Sequence, residues 1–548
     1  MRIRSVRLKD QSLLEFGDFN VFIGGNAVGK TTLIVELFSR TTNLQRPRWH
    51  WITDDIITYS SDNPVGDLRL LMGSMTRQYE GANVFYYSQA AKNIDGNIAL
   101  DGNLRFGQAE CEDLRRRADE GGPIDMTADL RYRRPFIAFA SCEARLNLPN
   151  QVNVTSLNQP PQDAVNVLFR NQDLLGEIDE KVYAQFRLHL GLLDHTRTQL
   201  ELGLNEEVAP QFDTAVRDRQ QEFARIEDWK GQHFVHVQDI GHGIRSMVKL
   251  LMTLLDPVNQ IILIDEPEMH IYPAQKRWLG RQLISLARER GKQVFVVTHD
   301  PIVLQGILEG PATTRIFRVD VEDDGLRVIK RCDMETVTDV GARRNQDSFL
   351  QGLFYQRCIG VEGSTDRAFY QVMTEELFQN RIEDKDLGFV ACGGKGGSKN
   401  MVYIASKVGL RSAFIYDFDA LLFDVELMAE IMRMRGGSGD KLAALRELLE
   451  REFGLDAKRI KTGTGNAEKV GFASPFVISY QQVFEAAISE LAKAGVFIVQ
   501  GGSLESWAPD AEPKFRFAEV APDRIKGDLT LKEKVKAFLD TVLRFVGC

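Results

Sequence analysis

Two rhythms of apolar residues alternate along this chain. Short, nearly continuous apolar runs predict strands covered on both faces: Phe19 to Ile23, Phe136 to Ala140, Gln260 to Ile264 and Gln293 to Val297, and further on Arg357 to Val361, Gly388 to Ala391 and Ala413 to Tyr416. Between them, the periodicity predicts helices over Lys30 to Arg40, Ser246 to Leu255 and Tyr272 to Arg290. Strands alternating with helices indicate parallel α/β sheets. Val6 and Leu8 alternating with Arg7 and Lys9 predict a strand at the start, and residues 44–128 read as strands and loops decorating the first domain. Residues 163–229 read as helical and charge-rich, as in Glu177 to His189 and Glu206 to Glu227. This stretch fits two readings equally, an insertion that packs on a partner and a solvated lobe. Polarity rises again over Leu326 to Asp347, the expected junction before a second α/β domain.

Composition narrows the class. A chain of 548 residues exceeds one ordinary core, since domains run to about 100 to 200 residues. Hydrophobic content of 43% and charged content of 26% are those of a soluble globular protein. No apolar run approaches the roughly 20 residues of a spanning helix, and Met1-Arg2-Ile3-Arg4 opens a strand rather than a signal peptide. A cytoplasmic location without a membrane partner is expected. The six cysteines are scattered without a CxxC pair, so neither a disulfide framework nor a zinc site is indicated. Net charge of −9 argues against a surface that coats nucleic acid indiscriminately. Any nucleic-acid groove must be a local basic patch on an acidic body.

Gly24-Gly25-Asn26-Ala27-Val28-Gly29-Lys30-Thr31 fits the phosphate-binding pattern G-x-x-x-x-G-K-[ST] and lies between an expected strand and an expected helix. Gly24, Asn26 and Gly29 shape a loop whose N–H groups cradle phosphate, Lys30 reaches the β and γ phosphates, Thr31 ligates magnesium, and Thr32 follows in the same helix start. The alternative is a glycine-rich turn with a chance lysine. Ile261 to Glu266 supplies the complement: Asp265 for the magnesium shell and Glu266 to polarise water. The next strand ends in Thr298-His299-Asp300, where His299 can touch a γ phosphate. Upstream, Gly241 and Gly243 open a helix with a second anion-binding end. This set, with Asp265-Glu266-Pro267-Glu268-Met269-His270, resembles the ABC-type ATPases of the SMC kind. The resemblance implies ATP held between two protomers, hence at least a homodimer through the ATPase domain. Two departures stand out. Asp239 occupies the place of the usual signature serine, and Ser141 to Arg145 supply no Q-loop glutamine, which points to slow or conditional hydrolysis.

A second chemistry lies downstream. Val361-Glu362-Gly363-Ser364-Thr365-Asp366 puts a carboxylate at a strand end, a glycine to turn, and another acid one helical turn on. Phe414 to Asp419 ends a strand with Asp417 and Asp419 at i and i+2, able to face one pocket. Hard oxygens clustered this way suit Mg²⁺ or Mn²⁺, and a pair of such ions about 4 Å apart suits phosphodiester cleavage. The pattern resembles the Toprim fold, supported by the glycine turn Cys392-Gly393-Gly394-Lys395-Gly396, and ABC-type ATPase followed by Toprim resembles the OLD (overcoming lysogenization defect) family of nucleases. The resemblance implies a further acid, matched by Glu505, and a late lysine, matched by Lys526 with Lys532 or Lys534 as rivals. The alternative is a Toprim-like domain that has lost catalysis. His233 and His236, on an apparent strand, read as structural; Trp49 and Trp51 fit base stacking or, more commonly, core packing.

The expected architecture is an α/β chain: an ABC-type P-loop ATPase domain in two parts, residues 1–160 and 231–345, interrupted by a helical insertion, residues 161–230, and followed by a Toprim nuclease domain, residues 346–548. The expected function is an ATP-regulated, metal-dependent nuclease, by resemblance a bacterial anti-phage factor. Glu266, Glu362, Asp417, Asp419 and Lys526 are its catalytic candidates; Thr31, Asp265, Glu362, Asp366, Asp417, Asp419 and Glu505 are its metal candidates. Expected partners are nucleic acid, DNA ahead of RNA, and an effector or phage-derived trigger protein. A topoisomerase or primase can use the same acids, but a topoisomerase needs a nucleophilic tyrosine on a DNA-binding domain, which the sequence does not place. The other rival is an ATPase sensor that binds and releases an effector through a non-catalytic Toprim domain.

Overall fold

The computed structural model describes residues 1–42, 51–80, 83–88, 105–120, 125–127, 130–149, 151–154, 163–194, 199–209, 219–310, 314–322, 325–332, 350–382, 385–508 and 516–548. They form two compact units, one of Met1–Phe22 and Gly29–Ile316, the other of Ile23–Val28 and Phe317–Cys548. Thr314–Val321 is one continuous strand, so the division falls inside it, upstream of the polar junction expected at Leu326 to Asp347.

At the centre of the first unit, strands Phe19–Ile23, Gln293–Val297, Ile261–Asp265 and Ile137–Ala140 lie side by side, all parallel. Every residue of these four strands is buried, which is why they read as nearly continuous apolar runs. Helices Lys30–Thr42, His242–Leu255 and Pro273–Glu289 follow the expected positions. An antiparallel sheet of Leu13–Glu15, Arg2–Leu8 and Ile52–Ser60 flanks them. The decorating region carries helices as well as strands, Pro64–Ser74 and Gln108–Glu120 among them.

The insertion is not purely helical. Helices Gln172–Phe186 and Arg219–His233 enclose an antiparallel pair, His189–Leu193 with Gln199–Asn205. Glu206 and Glu207 form a bend rather than a helix start. His233 ends a helix and stacks on Trp229, and only His236 lies on a strand. Trp51 is buried and donates its indole N–H to the Gly29 carbonyl at 3.1 Å, a packing role; Trp49 lies outside the described residues.

The second unit is built on four parallel strands in the order Leu387–Ala391, Arg357–Val361, Arg411–Tyr416, Val496–Ile498. The chain runs from the second of these to the first, then crosses to the third, so the winding reverses between Arg357–Val361 and Arg411–Tyr416. Such a switch point opens a crevice at the carboxyl ends of the strands, where α/β sheets bind ligands. Between Arg411–Tyr416 and Val496–Ile498 the chain is helical, from Ala420–Phe423 to Gln481–Lys493. Helices Phe517–Gly527 and Leu529–Val546 close the core through Phe517, Ile525, Leu539 and Val542. Among the described residues, no helix is long and apolar enough to cross a membrane.

Candidate functional site

The glycine loop is bent as phosphate-binding loops must be: Gly24, Ala27 and Gly29 take φ of 140°, 58° and 97°. Asn26 and Thr31 are exposed, Thr32 is half-buried, and Lys30 is only 2% exposed. From the end of strand Ile261–Asp265, Asp265 Oδ1 accepts from the Thr31 hydroxyl at 3.1 Å. Burial, with Glu266 beside it, pushes the Asp265 carboxyl up to about 6 against the pull of Thr31, Arg145 and Lys30.

Glu266 has a φ of 46°, a left-handed conformation that a glutamate adopts only when held there. Its Oε1 lies 2.9 Å from His299 Nε2. Its N–H donates to the Val297 carbonyl at 2.9 Å, and its own carbonyl accepts from Arg145 Nη2 at 2.6 Å. Burial and then Lys30 lower the His299 pKa against the pull of Glu266, so a neutral imidazole is favoured. The backbone of His299 is fixed in turn by Glu268 Oε1, which accepts its N–H at 2.7 Å.

Arg145 is the residue that sequence reasoning missed. It is wholly buried, and its guanidinium donates to Ser246 Oγ at 2.9 Å and to the carbonyls of Ala140, Asp265 and Glu266 at 2.9, 2.7 and 2.6 Å. One side chain therefore ties the helix opened by Gly241 and Gly243 to the strand end at Asp265 and the residue after it, Glu266. Its signal in the sequence is an arginine five residues past a buried strand, in the stretch expected to carry a glutamine. Gly241 caps that helix, and a Cβ on Gly243 would stand 2.4 Å from the His270 carbonyl. Asp239 is exposed, just ahead of it.

In the second unit, Glu362 follows strand Arg357–Val361, and Asp417 and Asp419 follow Arg411–Tyr416, on the two sides of the switch point. The N–H of Asp417 donates to Glu362 Oε1 at 3.3 Å. Asp366, in the first turn of helix Ser364–Ile382, accepts from the Gly363 N–H at 2.8 Å. Glu505 takes the Ser503 hydroxyl at 2.6 Å, and its charge is felt by both Asp366 and Asp417. The acids press on one another. Burial, then Glu362, Asp366, Asp419 and Glu505, push the Asp417 carboxyl up to about 8. Burial and the Asp419 charge push Glu362 to about 7 against the pull of Lys395.

Among the described residues no three His, Cys, Asp or Glu side chains enclose an ion as they stand. The acids share a field without forming a closed shell, as expected of like charges whose nearest counter-ion is Lys395, 2.7 Å from Asp419 Oδ2. The donor set nonetheless fits a divalent cation: it is all hard oxygen, and Asp419 Oδ1 is buried without a hydrogen-bond partner. Lys526 is not brought to this group. Its Nζ bonds Glu376 Oε1 at 2.6 Å and lies 3.7 Å from Asp523, on the exposed side of helix Phe517–Gly527. An exposed lysine next to two free acids pairs with them; the lysine that faces the candidate acids is Lys395.

Two family models match the chain: "AAA domain, putative AbiEii toxin, Type IV TA system" over residues 99–305, and "Overcoming lysogenization defect protein-like, TOPRIM domain" over residues 353–419. The OLD nuclease of Thermus scotoductus is 26% identical over 211 residues, 36% of this chain and 38% of that protein. The Old nuclease of Escherichia phage P2 is 22% identical over 206 residues, 34% of each. The matched stretches thus span little more than a third of these relatives. Among solved structures, an SMC head bound to the C-winged helix domain of ScpA aligns over 62% of this chain and all of that one, with 13% identity and a TM-score of 0.34. The SMC head domain of Thermotoga maritima aligns over 60% and 98%, with 13% identity and a TM-score of 0.29. The ATPase and Toprim matches, together with relatives named OLD nuclease, make this chain similar to OLD-type proteins that join an ATPase domain to a Toprim domain.

Proposed function

We propose that this chain is an ATP-regulated, divalent-metal-dependent nuclease, with DNA ahead of RNA as its substrate and bacterial anti-phage defence as its role. The observation that carries the reading is the electrostatic convergence of Glu362, Asp366, Asp417, Asp419 and Glu505 at the switch point of the second sheet. Glu362, Asp417, Asp419 and Glu505, with Asp366 assisting, would hold Mg²⁺ or Mn²⁺. The cation, when bound, supplies charge stabilisation at the phosphate being cleaved. The residues themselves order the strand ends and must shed protons before they can serve as ligands.

In the ATPase part, Gly24, Asn26, Gly29, Lys30, Thr31 and Thr32 would cradle phosphate, Asp265 would hold magnesium with Thr31, and Glu266 with His299 would orient water. Gly241 and Gly243 would reach the nucleotide of a second protomer, making a cytoplasmic homodimer the working form. Residues 161–230 would serve as its dimerisation insertion.

The test is incubation of supercoiled DNA, linear DNA and tRNA with Mg²⁺ or Mn²⁺, with and without ATP, comparing wild type with Glu362→Gln. Metal-dependent scission lost in the variant supports the reading. Absence of scission on every substrate would leave the other one, an ATPase sensor that binds and releases an effector or trigger protein. The exposed Asp239 beside the signature glycines favours that second reading, because a carboxylate there repels γ phosphate.

A further inference from the structure

We propose that Asp424 and Lys395 form a positioning relay that turns one oxygen of Asp419 toward the metal-binding face of the acidic group, an inference that rests on the metal-dependent reading above. Lys395 Nζ stands 2.7 Å from Asp419 Oδ2 and 2.8 Å from Asp424 Oδ2. The ammonium therefore engages one oxygen of Asp419 and leaves the other, Oδ1, buried without a hydrogen-bond partner. A buried carboxylate oxygen in that condition is costly unless a cation meets it. The two oxygens thus have separate duties: Oδ2 is tethered, and Oδ1 is the one presented.

The tether is built from the backbone upward. Gly394, with φ of 96°, donates its N–H to the Glu362 carbonyl at 2.8 Å, fixing the glycine turn against the end of the first strand. Lys395 is the next residue and the first of helix Lys395–Val408. Asp424 sits at the N-cap of helix Val425–Met434, where an aspartate ordinarily accepts from the backbone N–H groups of the first turn. Its side chain makes no such bond and faces Lys395 instead. An N-cap aspartate that forgoes its cap to hold a lysine, and a lysine that holds one oxygen of a candidate ligand, together form a chain with a direction. Outer partners of this kind orient metal ligands, and their removal costs about 10- to 100-fold in affinity or activity.

The measurement is Mn²⁺ binding by calorimetry on the full chain, without nucleotide and in an Asp265→Asn background that silences the ATPase site. We expect Lys395→Met and Asp424→Asn each to weaken Mn²⁺ binding by about 10- to 100-fold. The double variant should be no weaker than Lys395→Met alone, because the two residues act in series. Lys395→Arg should recover part of the loss, and metal-free melting temperatures should hold, which separates positioning from folding. Unchanged or tighter Mn²⁺ binding in Lys395→Met would overturn the relay and make the lysine a competitor of the metal. Failure of the underlying reading has a different signature: wild type that binds no Mn²⁺, or an Asp419→Asn variant that binds it as wild type does, would remove relay and metal site together.

Discussion

Arg145 shows how much of a site can rest on one buried side chain. Its donors reach Ser246 and three carbonyls at once, a spread that a planar guanidinium covers and a lysine ammonium does not. Arg145→Lys should therefore keep nucleotide affinity within about threefold yet lower kcat for ATP by about 100-fold, the order expected when a catalytic group is misplaced by an ångström. Hydrolysis rates set against nucleotide binding would check it, and equal loss in both would sink the idea. The carboxyls make a second prediction. Asp417 and Glu362 are pushed to about 8 and about 7, above the roughly 4 of an unfolded chain. Their protonated forms are the stable ones, so their contribution to folding is fully present below about pH 4 and is lost progressively as pH rises from there to the folded values of about 7 and about 8. Metal-free protein should thus become less stable between about pH 4 and 8, while Mn²⁺ affinity below pH 7 should rise about tenfold per pH unit for each proton released. A Mn²⁺ affinity flat across pH 6 to 8 would contradict this. Glu362 and Asp417 stand out in the sequence because each follows an apolar run, whereas Glu505 is reached only through the resemblance. In the sequence Lys395 stands out only as part of a glycine turn and Lys526 only as a late lysine, since nothing in a sequence says which lysine folds back onto a cluster.

Secondary structure was legible wherever one physical cause dominated. Strands covered on both faces announce themselves as apolar runs, and Phe19–Ile23, Gln293–Val297 and Arg357–Val361 begin and end where that pattern does. The pattern failed over Gln199–Asn205, a strand whose buried residues include Glu201 and Asn205. Glu201 is neutralised there by Lys230 at 2.6 Å, a partner 29 residues away that local periodicity cannot register. The glycine turn allows a sharp test. Within helix Lys395–Val408, a Cβ on Gly396 meets nothing within 4 Å, whereas one on Gly397 would stand 1.7 Å from the Cys392 carbonyl. Gly396→Ala should be neutral or stabilising by up to about 1 kcal/mol. Gly397→Ala should destabilise by about 1 to 3 kcal/mol and weaken metal binding as well, because the turn it displaces is bonded to Glu362 through Gly394. Denaturant unfolding of the two variants side by side decides it; equal stability would mean the turn yields.

For the chain as a whole, the composite-site reading requires two helix starts, at Lys30 and at His242, to bear on one nucleotide. In one protomer the first belongs to the phosphate loop and the second is bound through Ser246 and Arg145 to that protomer's own Asp265 and Glu266. If the signature helix engages the γ phosphate of a partner, Arg145 links the partner's nucleotide to this protomer's catalytic loop, and the two composite sites cannot act independently. Trapping the nucleotide should then trap the assembly. Glu266→Gln retains the nucleotide-binding groups but lacks the carboxylate that polarises water, and such a variant should lose about 10²- to 10⁴-fold in hydrolysis. In ATP it should sediment as a dimer, while Lys30→Ala, which lacks the phosphate contact, should sediment the same with or without ATP. Wild type should hydrolyse ATP cooperatively, with a Hill coefficient above one, and Arg145→Lys should bring that coefficient to one even at saturating protein. Glu266→Gln that stays monomeric in ATP at concentrations far above its nucleotide Kd would break the composite-site reading. It would leave the signature glycines without a ligand, and the exposed Asp239 beside them as the feature that explains why.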